Sequence, residues 1–213
     1  MKYKPYLLKD VYDASLQKKF NVISTFAGGG GSSTGYKLAG GNILAVNEFV
    51  EEARTTYNQN YPETPILPDD IKKLSGQEFL DITGIKSGEL DILDGSPPCS
   101  AFSMAGNLSH GKGNSHKDAF GKTKGYSDIK EVTNVEDLFF EFLRVADVIK
   151  PKVIIAENVA GLTMGEAKQY FNKIQNTFED IGYDVCAKVL NSGHFGVPQT
   201  RNCLLYTSDA ADE

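Results

Sequence analysis

The sequence lacks several features that would each have indicated a class of protein. Its 213 residues include only three cysteines, Cys99, Cys186 and Cys203, and no two of them lie close together. This spacing argues against a disulfide framework or a zinc site, so we expect no bound metal and a reducing compartment, the cytoplasm. No stretch of ~18 uncharged apolar residues occurs, and the start of the chain lacks the apolar region of a signal peptide. We therefore expect no membrane partner.

Positive charge is also scarce. Lys and Arg number 22 against 28 Asp and Glu, which gives a net charge of −6 at pH 7. Because phosphate binding requires a basic footprint, the charge by itself gives no support to a nucleic-acid partner. On charge alone, a solvated loop is the better explanation of the loose lysine cluster at Lys112, Lys117, Lys122 and Lys124.

Strand-like and helical patterns alternate along the chain. Short β-branched or apolar runs predict strands near residues 21–26, 42–46, 66–67, 90–93, 153–156 and 185–190. Helical spacing or polar helix-forming composition predicts helices near residues 50–60, 74–82, 135–146 and 166–181. Residues 1–20 show no clean period and are expected to form an arm that precedes the domain. The alternation predicts a doubly wound α/β fold with a mostly parallel sheet.

Four consecutive glycines, Gly28 to Gly31, follow the first predicted strand, and Ser32 or Ser33 is expected to cap the helix after them. Glycine at such a place lets a ligand approach the backbone, and the amino end of a helix favours polar or negative groups. The run matches neither the dinucleotide fingerprint, whose third glycine is replaced by Ser33, nor a P-loop. We favour a cofactor loop over a flexible turn.

Side chains suited to a nucleoside follow the next two predicted strands. Glu48 lies about twenty residues after the glycines, where a carboxylate can accept hydrogen bonds from both ribose hydroxyls. Phe49 could lie against an adenine face, and Asp70 could accept from the adenine amino group, with Asp69 as a competing candidate. Each has an ordinary alternative: a helix cap for Glu48, a core ring for Phe49 and a turn residue for Asp70.

A Pro-Pro-Cys sequence follows the predicted strand at residues 90–93. Pro97 and Pro98 end the strand because neither can donate a ladder hydrogen bond. Cys99 then stands at the carboxyl edge of the sheet, where a thiol suits a nucleophile, although a buried structural cysteine fits these residues equally well. Glu157 closes a later strand, and its carboxyl could act as a general acid or cap a helix.

Five motifs occur in a fixed order: residues 26–31, 47–49, 95–103, 157–159 and 199–201. Together they resemble the ordered motifs of the DNA (cytosine-5) methyltransferases over about residues 22–202. The resemblance implies a catalytic domain at residues 21–202 with the Rossmann-like sheet of S-adenosylmethionine-dependent methyltransferases. It implies S-adenosylmethionine as cofactor, a flipped cytosine of double-stranded DNA as substrate, and a monomer.

The resemblance also assigns roles to residues. Cys99 is the implied nucleophile, Glu157 the acid at the cytosine N3, and Arg201 the contact to the base carbonyl. Pro97, Asn158 and Gln199 are implied supports of the site, and residues 105–131 form the implied lid. The implied cofactor-binding residues are Phe26, Ala27, Gly28, Gly30, Gly31, Glu48, Phe49, Asp70, Ile71 and Pro98.

Three other functions remain open on the sequence. A tRNA cytosine-5 methyltransferase would use the same residues. A catalytically silent methyltransferase-like binding module would need neither Cys99, Glu157 nor Arg201. A nicotinamide-dependent oxidoreductase would fit the alternation of strands and helices, but the incomplete glycine fingerprint argues against it.

The end of the chain departs from the family pattern. The family usually has a second Arg two places after the first, and Cys203 occupies this place. Residues 203–213 resemble the translation of a transposon-end sequencing adapter, so we interpret them as an artefact. On this interpretation the sheet is incomplete at the C-terminus and lacks its last strand, while the target-recognition region is missing. Residues 1–213 alone are then expected to bind cofactor weakly and to methylate no DNA.

Overall fold

A computed structural model describes residues 5–98, 138–164 and 167–210 of the chain. Seven strands form one sheet in the order β3-β2-β1-β4-β5-β7-β6. Strands β1 to β5 pair in parallel, and β7 pairs antiparallel with both β5 and β6. The predicted α/β class with a mostly parallel sheet is confirmed. The strands are β1 Asn21–Thr25, β2 Asn42–Asn47, β3 Ile66–Leu67, β4 Ile92–Gly95, β5 Val153–Val159, β6 Tyr183–Asn191 and β7 Asn202–Ala210.

Six α-helices lie in the described ranges and connect or flank these strands: α1 Leu8–Ser15, α2 Gly31–Leu38, α3 Glu51–Asn60, α4 Gly76–Thr83, α5 Leu138–Ile149 and α6 Ala167–Asp180. Short 3₁₀ helices cover Ala160–Thr163 and Ser192–Phe195. Within the described ranges, no helix combines the length and apolar character that a membrane span requires.

The expected arm at residues 1–20 contains a helix that the sequence analysis did not predict. Helix α1 packs against α2, and Val11 is its one buried residue. A single buried position gives no repeated apolar period along the sequence, which explains why the helix was missed. The amide N–H of Leu7 donates to Asp10 Oδ2 at 2.8 Å, so an acidic side chain stabilises the start of the helix.

The start of α2 also differs from the prediction. Gly30, rather than Ser32 or Ser33, is the capping residue, and no side chain caps this helix. Gly30 has φ +96°, a left-handed conformation that favours glycine. A Cβ atom at Gly30 would also lie 2.9 Å from a ring carbon of Tyr61, so there is no space for a side chain.

Strand β7 corrects the expectation that the last strand of the sheet is missing. It lies between β5 and β6, where Leu205 is paired with both Glu157 and Lys188. Leu204, Tyr206 and Ser208 are buried, and the residues between them are partly or fully exposed. This alternation of buried and more exposed side chains is the pattern of a strand that is covered on one face. The artefactual origin of residues 203–213 remains a prediction.

The larger hydrophobic core lies between the sheet and helices α4, α5 and α6. Aromatic rings form its centre: the ring centroid of Phe139 lies 5.4 Å from that of Tyr206 and 6.1 Å from that of Phe142. A smaller core contains Val11 of α1, Val22 of β1 and Tyr57 of α3. Helices therefore cover both faces of the parallel half of the sheet, as a doubly wound fold requires.

The contact of α4 with α5 depends on a helical glycine. A Cβ atom at Gly76 would lie 2.4 Å from Cβ of Val148 and 2.9 Å from the carbonyl oxygen of Val145. We therefore expect Gly76→Ala to lower the free energy of unfolding by roughly 1–3 kcal/mol through overpacking. A Cβ at Gly35 of α2 would meet nothing within 4 Å.

Gly35→Ala is thus the matched control and is expected to raise the free energy of unfolding by about 0.5–1 kcal/mol, since alanine restricts the unfolded chain. Urea unfolding of the two variants beside the parent measures both changes. Equal stability of Gly76→Ala and the parent would contradict the tight packing of α4 against α5.

Candidate cofactor and catalytic site

Parallel register brings the carboxyl ends of the central strands to one edge of the sheet. Thr25 of β1 is level with Asn47 of β2 and with Gly95 of β4, and Gly95 is level with Ala156 of β5. The residues that follow these four positions therefore emerge side by side. Ligands of open α/β sheets bind at this edge.

The glycine loop begins immediately after β1. Phe26 has φ +53°, which is uncommon for a residue with a side chain and is often found at functional sites. The amide N–H of Ala27 donates to the carbonyl oxygen of Asn47 at 3.1 Å, which joins the loop to β2. A Cβ atom at Gly28 or Gly31 would meet nothing within 4 Å, so the backbone there is open to a ligand.

Glu48, the residue that follows β2, lies against this loop. Its side chain is buried, with Oε2 accepting from the amide of Gly28 at 2.8 Å and Oε1 from the amide of Val50 at 2.8 Å. Each carboxylate oxygen has a second lone pair, so Glu48 can still accept from hydroxyl groups of a ligand. The ring of Phe49 beside it is 40% exposed and available for contact with a planar group.

Two residues that the sequence analysis did not single out for a role hold the strand ends near Glu48. Arg54 of α3 donates through Nη1 to the carbonyl oxygens of Glu48, Phe49 and Pro68. Asn47, named only as part of a motif, donates through Nδ2 to the carbonyl oxygens of Leu67, the last residue of β3, and Asp69. No motif marks Arg54, because its acceptors are main-chain oxygens, which every residue type carries.

Asp70 and Ile71, the two cofactor-binding residues predicted after β3, have different surroundings in the structure. Asp70 is half-buried, and its Oδ1 accepts from the amide of Lys72 at 3.0 Å, which is the contact of a turn residue. Ile71 is 2% exposed and belongs to the larger core. The carbonyl oxygen of Asp69 is bound by Asn47. Roles of Asp70 and Ile71 in cofactor binding stay predictions.

The predicted nucleophile Cys99 and the predicted lid at residues 105–131 lie outside the described residues, which reach Pro98 on this side. Pro97 is buried and its carbonyl oxygen accepts from Asn158 Nδ2 at 3.3 Å, while Pro98 is exposed. The hydroxyl of Ser96 donates to the carbonyl oxygen of Phe26 at 3.4 Å. The turn that precedes Cys99 is therefore joined to both β5 and the glycine loop.

The structure brings Glu157 and Arg201 together around a third side chain, the thiol of Cys203. Burial first, then Glu157, raise the pKa of this thiol, while Arg201 lowers it. Arg201 is exposed, and its amide donates to the hydroxyl of Ser192 at 3.0 Å. The same hydroxyl donates to the carbonyl oxygen of Gln199 at 2.5 Å, so Ser192 orders the segment that carries both predicted residues.

Asp94 is a buried acid at this edge to which the sequence analysis gave no role. Its carboxyl accepts from the hydroxyls of Ser24 at 2.7 Å and Tyr36 at 3.0 Å. Desolvation by burial raises the pKa of Asp94 against these hydrogen bonds, and the charge of Glu157 raises it further. No pattern along the sequence marks Asp94, because its hydroxyl partners come from distant parts of the chain. In the described ranges, no cluster of three His, Cys, Asp or Glu side chains could hold a metal ion.

Comparison with known proteins identifies the family. The family described as C-5 cytosine-specific DNA methylase matches residues 20–209. The chain belongs to this family. The chain is 34% identical over 184 residues to the type II methyltransferase M1.HphI of Haemophilus parahaemolyticus. The alignment covers 86% of the chain and 44% of the relative. It is 33% identical over 197 residues to M.Eco47II of Escherichia coli, with 91% and 41% covered.

Solved structures agree on the fold. A prophage-encoded DNA modification methyltransferase of Escherichia coli superposes on this chain with a TM-score of 0.69 at 22% identity. The superposition covers 90% of this chain and 47% of that protein. The predicted methyltransferase-type sheet is thereby confirmed. The chain spans less than half the length of the relatives described here.

The raised pKa of Asp94 predicts that the stability of the folded chain depends on pH. Between the unfolded pKa near ~4 and the higher native pKa, the native state binds more protons than the unfolded chain, so stability falls as pH rises. Asp94→Asn removes this loss and is expected to stabilise the protein at pH 8, with less effect at pH 4.5. Urea unfolding at the two pH values measures the difference.

Asp91, at the other end of the same segment, is the control with the opposite sign. Burial opposes ionisation there, but hydrogen bonds from Lys152 and the amide of Asn21 outweigh it and lower the pKa of Asp91. Asp91→Asn should therefore destabilise the protein at pH 8 and do so less as pH falls through that pKa. If both variants shift stability in the same direction at pH 8, the environment described for Asp94 is wrong.

Proposed function

We propose that the natural protein carrying these residues transfers a methyl group from S-adenosylmethionine to C5 of a cytosine in double-stranded DNA. The observation that carries this proposal is the meeting of the glycine loop, Glu48, the Pro97–Pro98 turn and Glu157 at one edge of the sheet. Membership of the C-5 cytosine-specific DNA methylases supports both the base and the methylated atom. Type II methyltransferases among the relatives support a role in restriction–modification.

The residues at the glycine loop fit S-adenosylmethionine. The loop backbone is open at Gly28 and Gly31, where a Cβ atom would meet nothing within 4 Å. Glu48 retains acceptor capacity for ribose hydroxyls, and the exposed ring of Phe49 offers a face to adenine. We propose that these residues hold the cofactor, which supplies an electrophilic methyl group when it is bound.

The remaining chemistry falls to side chains of the protein. C5 of cytosine is a poor nucleophile until the Cys99 thiolate forms a bond to C6, which moves an electron pair toward C5. Glu157 would hydrogen-bond at N3 and Arg201 at the base carbonyl, where charge develops. After methylation, C5 loses its proton and the bond between C6 and the Cys99 sulfur breaks, which restores the ring. The base must leave the duplex for Cys99 to reach C6.

Two alternatives use the same fold. A tRNA cytosine-5 methyltransferase would share every residue named above, and a silent binding module would bind nucleic acid without transfer. The discriminating experiment measures tritium transfer from labelled S-adenosylmethionine, by the full natural gene product, to mixed-sequence duplex DNA and to tRNA. Labelling of DNA alone supports the proposal, labelling of tRNA alone replaces it, and binding without labelling favours the module.

The nucleophile predicts a covalent adduct. The full gene product should be trapped on DNA that contains 5-fluorocytosine, because fluorine at C5 cannot leave as a proton does. Cys99→Ala should abolish trapping, as seen in a denaturing gel. Cys186→Ala is the control, since this free cysteine is exposed on β6 and should leave trapping unchanged. Trapping that survives in Cys99→Ala would remove the proposed nucleophile.

The cofactor site predicts a loss of affinity in Glu48→Gln. The variant loses a charged acceptor that holds the amide of Gly28 and faces the proposed ribose, so the Kd for S-adenosylmethionine should rise about tenfold or more. Isothermal calorimetry measures it. Glu52→Gln is the matched control because Glu52 is exposed on α3 and should leave the Kd unchanged. Equal affinity of both variants would mean that Glu48 does not face the cofactor.

A further inference from the structure

Asp94 is a buried acid that the proposed reaction does not use. Its side chain lies at the carboxyl end of β4, and the residue is 9% exposed. Oδ2 accepts from the Ser24 hydroxyl at 2.7 Å and Oδ1 from the Tyr36 hydroxyl at 3.0 Å. In the described part of the chain, no ion pair includes Asp94. Hydroxyl groups rather than a cation hold it, which is costly for a charged carboxyl and calls for another explanation.

The hydroxyl donors stand on both sides of the glycine loop, residues 26–31. Ser24 lies in β1, two residues before the loop begins. Tyr36 lies in α2, the helix that starts where the loop ends. A single side chain therefore holds both ends of the loop.

The same residue is close in sequence to the turn that leads to Cys99. Asp94 precedes Pro97 by three residues, and its carbonyl oxygen accepts from the Thr25 hydroxyl at 3.2 Å. The side chain thus connects the loop to the strand that ends at the turn. Glu157 of β5 also acts on this carboxyl, so the three elements that pack around it present Ser24 from β1, Tyr36 from α2 and Glu157 from β5.

We propose that Asp94 is a positioning residue that sets the placement of the glycine loop relative to the Cys99 turn by holding Ser24 and Tyr36. This inference rests on the proposed function, in which the loop holds the methyl donor and the turn carries the nucleophile. Transfer requires the two reactants within about 3–3.5 Å, so a small displacement of the loop reduces the rate. Asp94 itself touches no reacting atom.

The kinetic test compares three variants of the full gene product. Asp94→Ala loses both contacts and should raise the KM for S-adenosylmethionine about tenfold or more, with a lower kcat. Asp94→Asn keeps the shape of the side chain, and a hydroxyl can accept from its amide, so its KM should stay within about threefold of the parent. Tyr36→Phe loses one contact and should lie between them.

Asp91→Ala is the matched control. Asp91 also joins β1, β4 and β5, through the amide of Asn21 at 2.8 Å and Lys152 at 2.7 Å, but at the opposite end of the strands. A merely structural role for Asp94 predicts that both alanine variants lose stability and that neither changes KM. An Asp94→Ala protein whose KM lies within twofold of the parent would overturn the proposal, as would an unchanged KM in Tyr36→Phe.

A second readout does not depend on methyl transfer. Hydrogen exchange of the amides at residues 26–34, without cofactor, should be at least about tenfold faster in Asp94→Ala and Tyr36→Phe than in the parent. Asp91→Ala should leave exchange in this segment unchanged. If the parent neither binds S-adenosylmethionine nor transfers methyl groups, the proposed function fails, while the exchange rates still decide whether Asp94 holds the loop. Parent-like exchange in both variants would overturn the inference.

Discussion

The parallel register of β1, β4 and β5 is the constraint on which the site depends. Thr25, Gly95 and Ala156 lie level across the three strands, so the glycine loop and the proline turn leave the sheet at the same edge, next to Glu157 of β5. Glycine at position 95 allows β4 to lie close to helix α5 and to Thr25 of β1, since a Cβ atom there would lie 2.6 Å from the Phe142 ring and 2.7 Å from Thr25 Oγ1. Helix α5 and strand β1 therefore fix where the turn to Cys99 begins.

Three carboxyl groups share this edge, and their surroundings separate their chemistry. Glu48 accepts two backbone N–H groups, which suits a charged carboxylate. Asp94 accepts from hydroxyls and is desolvated, so its neutral form is favoured. Glu157 lies beside the Cys203 thiol and Arg201. The charge of Glu157 adds to desolvation in raising the pKa of Asp94, so these two carboxyl groups interact across β4 and β5.

The features that the sequence predicted are those with a local signal. The strands appear as β-branched runs, and the glycine loop and Glu48 could each be assigned to the end of a predicted strand. The features it missed depend on distant partners. Helix α1 has one buried residue, Arg54 binds only main-chain oxygens, and Asp94 is held by hydroxyls of β1 and α2. No spacing along the chain records such contacts before the fold brings them together.

Strand β7 separates what the fold requires from what the chemistry requires. Pairing with β5 and β6 uses main-chain atoms, so a segment with large side chains at Leu204 and Tyr206 satisfies the sheet. Position 203 is different, because its side chain reaches Glu157. The family resemblance places an Arg there, and a thiol with a raised pKa is neutral and adds no positive charge. The sheet therefore accommodates Cys203, whereas an Arg at this position would bring a second guanidinium, besides that of Arg201, to the surroundings of Glu157.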